Sequence, residues 1–142
     1  MRVLFVCLGN ICRSPAAEGV MRKLAPDWVI DSAGTGGWHV GDPPYGPMRA
    51  AALRRGIDLG SLRARQFNVD DFDRFDLIVA MDHKNLSDIE RLRPAGTTTK
   101  VQMMARQDVP DPYYTRDFDG ALDMIEAAAV SLLADISVSR DP

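Results

Sequence analysis

Two cysteines and an arginine stand close together near the start of the chain, in Cys7-Leu8-Gly9-Asn10-Ile11-Cys12-Arg13-Ser14. A thiolate is a strong nucleophile, and a planar guanidinium can hold two oxygens of a tetrahedral anion at once. The apolar run Val3-Leu4-Phe5-Val6 before the segment reads as a buried strand. Pro15-Ala16-Ala17-Glu18 after it reads as the first turn of a helix, with Ser14 as N-cap, Pro15 at the first helical position and Glu18 as an acid in that turn. Cys7 therefore stands where a strand ends, and Arg13 where a helix begins. The backbone N–H groups of Leu8, Gly9, Asn10, Ile11, Cys12 and Ser14 can converge on one point, where the helix terminus adds positive potential. That field suits a phosphate dianion and favours the thiolate of Cys7. A nucleophile on the floor of a phosphate cradle implies attack on phosphorus. Gly9 permits a backbone conformation other residues resist, Asn10 tolerates a left-handed turn and can tie the loop, and the Ser14 hydroxyl can donate to the sulfur. A buried cysteine at a strand end beside a surface arginine is the plainer alternative; the strand before, the cap after and the Gly9-Asn10 pair weigh against it.

The elements that must position these groups follow from hydrophobic period and breakers. The first helix is expected over residues 14–25, ended by Pro26, and Val29-Ile30 forms a short second strand. A loop rich in glycine and proline covers residues 34–47. A helix over residues 48–55 ends at Gly56, and a short helical turn starts near Asn68 or Asp70. Residues 77–81 form a third strand, apolar throughout, as a sheet covered on both faces requires. Asp82 caps a helix reaching about Arg93, and residues 101–104 form a fourth strand. The last helix starts near Asp117 or Phe118, with Phe118, Leu122, Ile125, Ala129, Leu132 and Ile136 on one face. Alternating strands and helices predict an α/β class, a single domain over residues 1–142 with a four-stranded parallel sheet and helices on both faces. Ligands of such sheets sit beyond the carboxyl ends of the strands, the edge on which Cys7 lies.

Displacing an alkoxide or phenoxide from phosphorus needs a proton donor for the leaving oxygen. After the fourth strand, Asp117, Asp119 and Asp123 read as helix-start and surface charges, leaving Asp108 and Asp111. Asp111 lies between Pro110 and Pro112, which restrict its backbone. Trp38 either walls a pocket for an aromatic substrate or pins its loop to the body. Tyr113 and Tyr114 either line the mouth or pack their loop. Cys12 is either an inert core thiol or close enough to trap an oxidised Cys7 as a disulfide.

The composition is that of a globular chain: 142 residues, 46% hydrophobic, 26% charged, with a net charge of −3. No nucleic-acid footprint appears. Arg49, Arg54, Arg55, Arg63 and Arg65 make either a local basic patch or separate solvated positions. Two cysteines are too few for a disulfide framework and suit a reducing compartment. The N-terminal apolar run is too short for a secretory signal and no stretch is long enough to span a bilayer, so a cytoplasmic address is expected. His39 and His83 have no ligand cluster around them, and neither metal nor cofactor is expected.

The first segment closely resembles the signature of the low-molecular-weight protein tyrosine phosphatases. Asp31-Ser32-Ala33-Gly34-Thr35, Ala80-Met81-Asp82-His83-Lys84-Asn85-Leu86 and Asp111-Pro112-Tyr113-Tyr114 resemble further segments of that family, in the same order. The resemblance implies a flavodoxin-like fold and hydrolysis of phosphotyrosine through a cysteinyl phosphate, without metal. It gives Cys7 the nucleophile's role, Arg13 the anion's, and Asp111 the acid's. It favours Trp38 as a pocket wall, and Asn10 and Ser14 as supports of the loop. The expected partner is a phosphotyrosine protein or a small phosphoester, and a monomer with weak self-association is expected. Three positions depart from the family: Tyr45-Gly46-Pro47 stands for a common Asp-Pro-Arg, Leu62 for a histidine, and Thr115 for a glycine. An arsenate reductase of similar architecture is the nearest rival; versions with an internal thiol relay need cysteines downstream, and this chain has none after Cys12, whereas a glutaredoxin-coupled version needs only one thiol and stays open. A phosphate-binding or redox-sensing module without turnover is the rival from another class, and it would have no use for Asp111.

Overall fold

The computed structural model describes residues 1–140; the expected domain span runs past these by Asp141 and Pro142. Ten elements follow in chain order: β1 (Arg2–Cys7), α1 (Arg13–Leu24), β2 (Val29–Gly34), α2 (Gly46–Leu53), α3 (Asp71–Arg74), β3 (Leu77–Ala80), α4 (His83–Arg91), β4 (Lys100–Met103), α5 (Pro112–Thr115) and α6 (Phe118–Arg140). The four strands form one parallel sheet in the order β2-β1-β3-β4. The register aligns Cys7 with Gly34, Val6 with Ala80, and Ala80 with Met103. The carboxyl ends of all four strands therefore share one edge, and the loops leaving them meet there.

Each strand alternates its side chains between two apolar layers. Val3, Phe5, Leu77 and Val79 face a core closed by α1, α2 and α6. Leu4, Val6, Ile78 and Ala80 face a second core with Phe67, Phe72, Phe75 and Ile89. Leu122, Ile125, Ala129 and Leu132 of α6 are all buried, so the expected apolar stripe is the docked face.

Several expectations shift. β2 extends through Gly34, well past Val29-Ile30, because Asp31 to Gly34 continue the pairing with β1. Most other boundaries move by one or two residues. The expected N-cap at Ser14 does not form: α1 begins at Arg13, Cys12 holds the cap position without a side-chain bond, and Glu18 lies beyond the first turn. The Ser14 hydroxyl is spent inside the loop, as described below. Asp82 does cap α4, accepting from the backbone N–H of Asn85 at 2.7 Å. Two of the five arginines are committed to carboxylates: Arg55 pairs with Asp119 and Asp123 on α6, and Arg65 with Asp31 and Asp71.

Candidate active site

The residues singled out in the sequence converge at the carboxyl edge of the sheet. A cavity of about 250 Å³ is lined by Cys7, Leu8, Gly9, Ile11, Cys12, Trp38, His39, Asp111, Tyr113 and Tyr114. Asn10, Arg13 and Ser14 are buried and do not line it. They bond to the groups that do.

The sulfur of Cys7 is held from two sides. Ser14 Oγ lies 3.0 Å from Cys7 Sγ, and the backbone N–H of Asn10 donates to Sγ at 3.3 Å. Asn10 Nδ2 donates to Ser14 Oγ at 2.8 Å and to Ser32 Oγ at 2.9 Å. Ser32 in turn donates to Glu18 Oε1 at 2.7 Å. With a lone pair of Ser14 Oγ taken by Asn10, its proton is directed to the sulfur or to the Ala33 carbonyl, 3.4 Å away. This is why Ser14 does not cap the helix, and why the first-turn N–H groups stay available to an anion.

The left-handed turn falls on Asn10, with φ 57°, and not on Gly9. Gly9 serves close approach instead: a Cβ there would sit 3.2 Å from the ring of His39. Gly34 does the same from below, since a Cβ would meet Leu8 O at 2.8 Å and Asn10 Cβ at 3.2 Å. The wiring beneath the loop, left open by Leu62 in place of a histidine, is closed by backbone. Asn10 Oδ1 accepts from the N–H of Arg65 at 3.0 Å, and Arg65 is fixed by Asp31 and the buried Asp71. Leu62 packs against the core.

Arg13 is anchored across the sheet. Nη1 donates to Asp82 Oδ2 at 2.7 Å and to the Val109 carbonyl at 2.9 Å, and Nη2 reaches Asp111 Oδ2 at 3.5 Å. Despite burial, the neighbouring Cys7, Asp82 and Asp111 raise its pKa further and keep it protonated. Its Nε is buried with no protein partner, a donor that a phosphoryl oxygen would satisfy. Burial, with Cys7 beside it, pushes the Cys12 thiol up to about 12, so Cys12 stays neutral. Both cysteines are free thiols.

The two candidate acids separate. Asp108 is exposed and tied to His83, accepting from its backbone N–H at 3.0 Å with its ring Nδ1 at 2.5 Å; these bonds hold its carboxyl below the usual range. Asp111 instead lines the cavity. It caps the single turn α5, accepting from the Tyr113 N–H at 3.1 Å. Trp38 lines the cavity with 73% of its surface exposed, its ring lying over Gly36 of its own loop, where a Cβ would come within 1.9 Å of it, and not against the core. Tyr113 and Tyr114 line the mouth, edge to face at 5.2 Å.

Three residues gain roles that the sequence reading did not give them. Asp82, besides its expected cap of α4, holds Arg13 with its other oxygen. His39 lines the cavity, with Nδ1 3.2 Å from Asp42, and its place beside Trp38 in a glycine-rich loop was the available signal. Glu18 closes the network under the loop. No group of three or more His, Cys, Asp or Glu side chains placed to hold a metal occurs among the described residues.

Known proteins are similar to this chain in sequence and fold. The family model for low molecular weight phosphotyrosine protein phosphatases matches residues 2–141. The chain is 40% identical to the low molecular weight protein-tyrosine-phosphatase YfkJ of Bacillus subtilis, over 97% of each chain. It is 43% identical to a putative member from Synechocystis, over 96% of each. The crystal structure of YfkJ superposes with a TM-score of 0.93 at 38% identity, covering 99% of this chain and 97% of that one. A protein tyrosine phosphatase from Entamoeba histolytica, with Hepes in its active site, superposes with a TM-score of 0.91 at 36% identity and 99% coverage of both. On its sequence, its sheet and the loop around Cys7, the chain belongs to the low-molecular-weight protein tyrosine phosphatases, a family of hydrolases.

Proposed function

We propose that Cys7, Arg13 and Asp111 carry out hydrolysis of phosphotyrosine and other aryl phosphate monoesters in two steps. Cys7 attacks phosphorus in line while Asp111 protonates the leaving phenoxide. The N–H groups of the loop from Leu8 to Ser14, with Nε and Nη2 of Arg13, stabilise the three equatorial oxygens as charge shifts onto them. Asp111, now a carboxylate, then takes a proton from water as it attacks the cysteinyl phosphate, and the thiolate of Cys7 leaves. Ser14 and the Asn10 N–H stabilise that thiolate in both steps. One observation carries the reading: a sulfur hydrogen-bonded to the Asn10 N–H and to Ser14 Oγ lines a cavity that Asp111 also lines, with a buried arginine bonded to Asp111.

The aromatic rim of Trp38, Tyr113 and Tyr114 supports a flat phenyl ester over an alkyl one. The substrate is then a phosphotyrosine protein or a small aryl phosphoester. The free thiols suit a reducing compartment, so we propose a cytoplasmic address and a monomer with weak self-association. No helix among the described residues is long and apolar enough to cross a membrane.

The test is a panel of phosphotyrosine, phosphoserine and phosphoarginine peptides, with thiol-dependent arsenate reduction run alongside. The wild type should hydrolyse phosphotyrosine fastest. Cys7→Ser should lose all turnover and still bind inorganic phosphate, and Asp111→Asn should lose about a hundredfold or more on phosphotyrosine. Turnover by Cys7→Ser, or arsenate reduction in preference to ester hydrolysis, would refute the assignment.

A further inference from the structure

Arg116 is a side-chain-bearing residue in the left-handed region, with φ 65° and ψ 9°. Such a backbone is uncommon outside glycine and asparagine, and it persists where surrounding contacts over-determine it. Arg116 follows α5, the turn whose N-cap is Asp111, and its N–H closes that turn on the Pro112 carbonyl at 2.9 Å. Its guanidinium lies over two rings, 5.4 Å from the centroids of both Tyr45 and Phe118, and Nη1 donates to the Tyr45 hydroxyl at 3.0 Å. Tyr45 also leans on Tyr113, the residue whose N–H binds Asp111, with ring centroids 5.3 Å apart. On its other side, the backbone N–H of Tyr45 donates to the carbonyl of Ile11 at 2.7 Å. Tyr45 thus bonds the phosphate loop through its backbone and the acid-bearing turn through its side chain. It stands at one of the positions where this chain departs from its family's usual pattern.

We propose that Tyr45 and Arg116 form a latch that sets the Asp111 turn in register with the phosphate loop, making both positioning residues for proton transfer to the leaving oxygen. Neither side chain lines the catalytic cavity. Proton transfer requires a donor within hydrogen-bond reach of the leaving oxygen, so a displacement of the turn by about an ångström weakens protonation while leaving Cys7 and Arg13 in place. The direct tie of Asp111 to Arg13, at 3.5 Å, is too long to supply that register alone. The inference rests on the reading of Asp111 as the acid.

The experiment is kcat/KM over a series of aryl phosphates, from 4-nitrophenyl to phenyl phosphate, for the wild type, Arg116→Gly, Arg116→Lys, Tyr45→Phe and Asp111→Asn. Glycine takes the left-handed backbone without strain, so Arg116→Gly removes the guanidinium and keeps the turn. Arg116→Gly should lower kcat/KM for phenyl phosphate about tenfold and for 4-nitrophenyl phosphate by less than about twofold, because a good leaving group needs little protonation. Tyr45→Phe should shift the ratio in the same direction by less, since the ring contacts remain, and Arg116→Lys should recover part of the loss. In the Asp111→Asn background, Arg116→Gly should change the ratio no further. If Asp111→Asn itself leaves the leaving-group dependence unchanged, the acid assignment fails and the latch with it. If Asp111→Asn steepens the dependence while Arg116→Gly behaves as wild type, or lowers both substrates equally, the latch is overturned and the acid assignment stands.

Discussion

Replacing Asp82 by asparagine removes one of two acceptors from a side chain that uses both. Oδ2 accepts from Arg13 Nη1 at 2.7 Å, and Oδ1 accepts from the Asn85 N–H at the start of α4. Asparagine has a single acceptor, so it either keeps the cap and turns an NH2 toward a cation, or keeps Arg13 and uncaps the helix. The Arg13 side chain is 3% exposed and that of Asp82 is 20%, so water cannot fully replace the lost bond. A charge-assisted bond of this kind contributes about 1.5–3 kcal/mol, and removing one partner of a fully buried pair costs about 3–5 kcal/mol. The Val109 carbonyl still holds Nη1 and Asp82 is partly wet, which favours a loss of about 2–3 kcal/mol in unfolding free energy. The catalytic loss should be larger. The freed guanidinium can swing toward Asp111, now its nearest carboxylate, which draws both the anion's donor and the acid out of place. A fall of about a hundredfold in kcat/KM for phenyl phosphate is expected. Asp82→Ser separates the two functions, because serine caps well and cannot reach Arg13 with a charge. It should keep most of the stability of α4 and show the same catalytic loss. Urea unfolding and initial rates measure both quantities. A kcat/KM within twofold of wild type for Asp82→Ser would show that Arg13 needs no carboxylate to aim it.

Three further perturbations test the framework around the site. Burial raises the pKa of Glu18 above its ordinary 4.5, against the opposing bonds from Ser32 and Arg22. A carboxyl raised in the folded state contributes stability that is present below 4.5 and lost as pH rises through the folded value. Urea midpoints of wild type and Glu18→Gln should therefore diverge over that window, wild type losing ground as pH rises; parallel curves would contradict the burial argument. Gly34→Ala places a Cβ 2.8 Å from the Leu8 carbonyl, so it should cost about 1–3 kcal/mol and about tenfold in kcat/KM, read by melting and initial rates. Wild-type rates in that variant would mean the loop has slack. Leu122→Ala, at a fully buried position of α6, should cost about 2–5 kcal/mol in urea unfolding while kcat/KM of the folded enzyme stays within about twofold.

What was legible in the chain was local. The run Val3-Leu4-Phe5-Val6 could only be a covered strand, and the stripe from Phe118 to Ile136 could only be a docked helix face, because both signals are periods repeated along one element. Loop chemistry was legible as type and less so as position. The left-handed turn falls on Asn10, as its tolerance of that backbone suggests, while Gly9, whose freedom was the other signal, serves close approach and has no positive φ. Ser14 reads in the sequence both as a helix cap and as a partner of the sulfur, and only the second holds, because its hydroxyl is taken by Cys7 and Asn10. Breakers located the boundaries only to within a residue or two, apart from β2, whose polar Asp31 and Ser32 hid four more residues of pairing.

The sequence by itself determined the Cys7–Ser14 loop and the alternation of strands and helices, since these depend on residues within a few positions of each other. Which carboxylates meet Arg13 was decided by the tertiary structure, with Asp111 marked beforehand only by the family resemblance. Arg13 meets Asp82 and Asp111 across 69 and 98 residues, and Asp108, only three positions from Asp111, is committed to His83. Pairings at that range follow from the β2-β1-β3-β4 order, which brings the loops after β1, β3 and β4 to one edge. No period or turn signal within a single element encodes which of several aspartates will face the cavity, because that choice depends on how separate elements pack.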